Sequence, residues 1–166
     1  MPIDVDGMRF EFDHGWTAGK YDEWSYYRRY TRFRQGIKAV DLVATDPDRT
    51  AWLIEVKDYR QNRRTKVIDL ADEVAQKVHD TLAALAAAQT NANDNEERAM
   101  ARSLVRARKA RVVLHLEQPA KHSKLFPRAI DPTKVQQKLR TLVKPIDAHA
   151  LVVESSNMRG LSWAVT

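Results

Sequence analysis

Asp41, Glu55 and Lys57 have the residue types and the spacing to do chemistry together. They lie in one stretch, GIKAVDLVATDPDRTAWLIEVKDYR, residues 36–60. Residues 37–45 and 50–58 read as strands joined by the turn Asp46-Pro47-Asp48-Arg49. There Pro presets φ and Asp can hydrogen-bond its own backbone. Side chains alternate faces along a strand, so Trp52, Ile54 and Val56 share one face and Leu53, Glu55 and Lys57 the other. A hairpin folded about Asp48 sets Asp41 opposite Glu55 and Ala39 opposite Lys57. Two carboxylates and an ammonium then converge on one face of an otherwise apolar sheet.

That convergence needs a physical reason. Isolated charges are costly in an apolar core, and adjacent carboxylates drive one another to protonate. A divalent cation removes the conflict. Mg²⁺ takes oxygen ligands, is commonly held by one or two carboxylates and keeps several waters. Bound there, it could polarise a phosphoryl oxygen and lower the pKa of a water. Lys57 adds positive charge where a phosphodiester develops negative charge.

The pattern Asp41, thirteen residues, Glu55-Val56-Lys57 resembles the D…(D/E)xK signature of the PD-(D/E)XK nuclease superfamily. Val40 stands where the name-giving Pro would be. The resemblance implies a restriction-endonuclease-like fold and a metal-dependent nuclease using Mg²⁺ (or Mn²⁺) on phosphodiesters, DNA foremost. It implies that Asp41 and Glu55 bind the metal, with the Val56 carbonyl as a further ligand, and that Lys57 positions or activates the attacking water. An N-terminal helix of such proteins can donate a Glu, for which Glu23 is the candidate and Asp22 the runner-up. In some branches a Gln on the following helix reaches the site. Gln76 is that candidate, although Asp80 stands where the branch has a Tyr.

The elements that must hold these residues follow in order. Residues 8–12 read as a short strand. KYDEWSYYRRYTRFR, residues 20–34, fits a helix over 20–28 and then a strand over 29–34. Its Arg and Tyr side chains suit a nucleic-acid surface; alternatively the Tyr and Trp rings build the core and Arg stems cover it. Arg60, Arg63, Arg64 and Lys66 fill a basic loop leaving the second strand, placed to hold phosphates. Residues 69–89 form the clearest helix, capped by Asp69, with Leu70, Val74, Val78, Leu82 and Leu85 as its stripe. A second helix over 96–109 carries Arg98, Arg102 and Arg106 at every fourth position. That basic row is either a phosphate contact or a solvated face paired with Glu96 and Glu97. Residues 111–117 read as a buried strand, 131–143 as a third helix with Asp cap and Pro in its first turn, and 149–154 and 161–165 as a pair of strands. The sum is an α/β fold: a single domain over 1–166, a mixed central sheet flanked by helices, with a core over about 20–117 and a C-terminal extension over 118–166.

Composition bounds the function. Among 166 residues, 28 Lys plus Arg against 22 Asp plus Glu give a net charge of +6, which favours an anionic partner such as nucleic acid. With no cysteine, disulfides, thiolate zinc sites and a Cys nucleophile are excluded, which fits a cytoplasmic setting. No apolar run is long enough for a transmembrane helix, and MPIDVDGMRF does not read as a secretory signal. Dinucleotide, Walker, zinc-protease and hydrolase-elbow motifs are missing. A duplex cutter often needs two sites, which makes a homodimer or larger complex a candidate assembly. The rival to the nuclease is a non-catalytic nucleic-acid-binding or complex-forming module on the same scaffold.

Overall fold

The computed structural model describes residues 2–166. Two sheets lie back to back. The larger has five strands in the order β3-β4-β5-β6-β7: β3 is Thr17–Lys20, β4 Leu42–Thr45, β5 Thr50–Asp58, β6 Lys109–Glu117 and β7 Leu151–Val153. β3, β4 and β5 pair antiparallel, while β5, β6 and β7 run parallel. The smaller sheet joins β1 (Pro2–Val5), β2 (Met8–Phe12) and β8 (Trp163–Val165). The expected α/β class with a mixed sheet and flanking helices is what is found.

Sequence alternation decides which core each strand face joins. Val43, Ala51 and Leu53 face the helices α2 (Leu70–Asn91), α3 (Asn95–Val105) and α4 (Pro132–Leu142). Leu42, Ala44, Trp52, Ile54 and Val56 face Phe10 and Trp163 of the smaller sheet. The β4–β5 register, Leu42 opposite Ile54 and Val43 opposite Leu53, is a fold about Asp48. Asp46 fixes the turn by accepting from the Thr50 N–H at 2.8 Å and the Trp52 indole at 2.9 Å. Asp69 caps α2 by accepting from Ala71 N–H.

Strands β1 and β3 have no counterpart in the sequence reading, the helix expected over 20–28 splits into a 3₁₀ turn, Tyr21–Glu23, and a helix that starts at Ser25, and four further elements differ. The strand expected over 37–45 keeps only Leu42–Thr45. The N–H groups of Lys38 and Val40 are taken by Asp80 and Thr81 of α2, and that of Val56 by the Asp41 carboxylate, so the ladder stops. Residues 29–34 form no strand. The short helix α1 (Ser25–Tyr30) continues in turns through Phe33, whose ring is largely exposed. The second helix ends at Val105, not 109, because Lys109 and Ala110 pair with Thr50 and Ala51. Strand β8 pairs with β2, not with β7. Buried Trp163 packs there against Phe12, Trp16 and Trp52, a larger gain than a hairpin with the short β7 offers.

Candidate functional site

The site lies between the helix-facing side of β4 and β5 and the inward row of α2. Glu55 and Lys57 point from β5 toward α2, and Asp41 stands one residue before β4 in the register that opposes it to Glu55. Its Oδ2 accepts from the Val56 N–H at 2.7 Å. A turn of 3₁₀ helix, Tyr21–Glu23, is tied to this point by Tyr21 N–H donating to the Asp41 carbonyl at 2.8 Å. From α2 come Glu73 and Lys77, one turn apart.

Glu55 is fully buried, and Lys57 and Lys77 approach its Oε1 at 2.9 and 2.5 Å. Its Oε2 is buried and has no hydrogen-bond partner among the described residues. Burial first, and the neighbouring Asp41 charge second, push the Glu55 carboxyl up to about 7, against the pull of the two ammoniums. Burial opposes the Lys57 charge, yet Glu55, Glu73 and Asp41 together hold its pKa above the ordinary lysine value. Glu73 is also fully buried. It accepts from Arg64 and Lys66, each at 2.6 Å, with Lys57 at 3.6 Å. Despite burial, the Lys66 and Arg64 hydrogen bonds hold its carboxyl at about 2. Burial and the Asp41 charge raise the pKa of half-buried Asp22. A carboxyl near neutrality beside two charged amines can give or accept a proton at physiological pH.

The other expected site residues scatter. Glu23 turns to solvent and pairs with Lys20 at 2.8 Å, while Asp22 stands near Asp41. Lys77, one residue beyond Gln76, is the α2 side chain that reaches Glu55. Arg60 closes on Asp58, and Arg64 and Lys66 are held by Glu73. Arg63 donates to the Lys124 carbonyl at 2.9 Å. On α3, Arg98 and Arg102 bond the carbonyls of Ala92 and Gln89, closing the end of α2, while Arg106, just past the helix, is exposed. Glu97 does not pair with that row. It accepts the N–H groups of Ser25 and Tyr26 at the start of α1.

Sequence reasoning missed Glu73, Lys77 and the structural part of Asp80. A signal existed: positions 73, 77 and 80 recur at helical spacing beside the apolar stripe, so they share the buried side of α2.

No protein-family model matches this chain, and no solved structure matches it. The chain is similar to a curated protein, the cysteine–tRNA ligase of Neisseria meningitidis serogroup A / serotype 4A, at 27% identity over 201 residues. The alignment covers 96% of this chain and 29% of that protein, so the chain spans less than a third of its relative's length.

These findings correct the expectation of a metal-dependent nuclease and hydrolase. The protein that nearly the whole chain resembles is named a tRNA ligase. Metal binding is corrected as well: among the described residues no three His, Cys, Asp or Glu gather to hold an ion. Asp41 spends an oxygen on the β5 backbone, and Lys57 and Lys77 supply the positive charge that Glu55 was expected to take from a cation. Among the described residues, no helix is long and apolar enough to cross a membrane.

Proposed function

We propose that this chain is a tRNA-binding module built on a restriction-endonuclease-like scaffold. The observation that carries the reading is the similarity of 96% of the chain to part of a cysteine–tRNA ligase. It favours RNA over the DNA partner expected from sequence. The net charge of +6 supports a polyanionic partner. So does the placing of basic side chains at one end of the sheet: the loops after β5 and β6 leave side by side, joined by Tyr59 N–H donating to the Glu117 carbonyl at 2.8 Å. They carry Arg60, Arg63, Arg64 and Lys66 on one side and Lys121, Lys124 and Arg128 on the other. Loops at the carboxyl ends of parallel strands are where α/β proteins present ligand-binding groups. The hairpin followed by a helical crossover to parallel β6 supports the scaffold.

In this reading the Asp41–Glu55–Lys57–Glu73–Lys77 cluster anchors the basic loop. Arg64 and Lys66 are locked onto buried Glu73, which fixes the loop's course and turns Arg63 outward. The test is a fluorescence-anisotropy titration of labelled tRNA transcript with the full chain over a salt series. Binding that weakens steadily with salt is expected, at roughly 0.7–0.9 in the log–log slope per phosphate contact. No binding at low salt overturns the reading.

A further inference from the structure

The loops after β5 and β6 enclose a cavity of about 490 Å³. That is the size range of small-molecule sites. Its lining combines cationic Arg63 and Lys124 with Tyr59, Pro127 and Ile130, which offer apolar surface. Neither Arg63 nor Lys124 is paired with a carboxylate among the described residues, in contrast to Arg60, Arg64, Lys66 and Arg128. Among the described residues only one nitrogen of Arg63 is engaged, through its bond to the Lys124 carbonyl. His122 uses Nδ1 to accept from the Arg128 N–H at 3.0 Å, which leaves Nε2 available as a donor. Gln118 braces the floor by bonding both the N–H and the carbonyl of Ile130. A smaller cavity of about 250 Å³ shares the Tyr59–Arg63–Arg64 wall and extends to Lys57.

A pocket lined by two unneutralised cations and by apolar surface suits a ligand that joins an anionic group to a flat apolar one. We propose that it holds one unpaired nucleotide of a bound RNA, with the phosphate between Arg63 and Lys124 and the base against Tyr59, Pro127 and Ile130. The proposal rests on the tRNA-binding reading for the polymer, and it specifies where that polymer is gripped.

The experiment uses the isotope-labelled full chain and follows backbone amides by NMR. The probes are nucleoside 5′-monophosphates, the unphosphorylated nucleosides, inorganic phosphate and, in parallel, tRNA. Monophosphates are expected to shift amides of residues 59–66 and 118–130, and to bind about tenfold or more tighter than nucleoside or phosphate alone, since each lacks one half of the contact. The Arg63→Ala/Lys124→Ala double variant, altered only at exposed loop positions, should keep its melting temperature and lose about tenfold or more in monophosphate affinity. Binding of tRNA with those amides unmoved by monophosphates overturns the cavity and leaves the tRNA reading standing. Monophosphate binding without tRNA binding supports the cavity and overturns that reading. Inorganic phosphate binding as tightly as the monophosphates reduces the site to an anion hole and overturns the nucleotide, as does an unchanged double variant.

Discussion

Glu55 is the residue on which the site's electrostatics turn. Unfolded, it titrates near 4.5; folded, burial and Asp41 move it to about 7. Between those values the folded chain binds the extra proton. The associated stability is therefore fully present below pH 4.5 and lost as pH rises through 7. That gap is worth on the order of 3 kcal/mol. Urea unfolding of wild type and Glu55→Gln between pH 4.5 and 8 should show a decline in wild type that the variant lacks. Parallel curves contradict the assignment. Glu73 has the opposite sign. Its folded value of about 2 lies below 4.5, so its contribution is present above 4.5 and lost as pH falls through 2. Glu73→Gln leaves the Arg64 and Lys66 charges without their acceptor and should cost about 3 kcal/mol at pH 7. The loss should appear in the urea midpoint, and a change within about 0.5 kcal/mol would place the pair in the weak class of surface bridges.

At the scale of elements, some of the fold was legible and some was not, for identifiable reasons. Strand β5 could be read to the residue because its alternation serves two apolar cores at once. The Asp41–Glu55 juxtaposition followed from counting across the Asp46–Arg49 turn. Segment 37–41 could not be read, because its N–H groups go to side chains of a helix some forty residues away. The partner of β8 was equally hidden, since Trp163 is recruited by aromatic rings of distant segments. The cavity between the two loops depends on how two separate βα connections face one another, which no local pattern encodes. The side-chain tether of segment 37–41 yields its own prediction. Thr81→Val removes the acceptor of the Val40 N–H, a buried bond of 3.1 Å, and should cost about 1–3 kcal/mol. Hydrogen exchange at the Val40 amide should speed up while amides in β6 stay protected; equal protection in the variant would mean another acceptor takes over.

Taken whole, the molecule places its helices on one side of the main sheet and a small sheet on the other, leaving the carboxyl ends of β5 and β6 to carry the basic loops. Binding there should be electrostatic and salt-sensitive, with Arg63→Ala lowering the log–log salt slope by about 1 and weakening every RNA sequence alike. The measurement that bears most directly on the account is a competition. Labelled tRNA bound to the full chain at moderate salt is challenged with unlabelled tRNA and with duplex DNA of equal phosphate content. tRNA should displace the probe at concentrations well below those DNA requires. Equal displacement by DNA would reduce the protein to a general polyanion binder and contradict the assignment to tRNA.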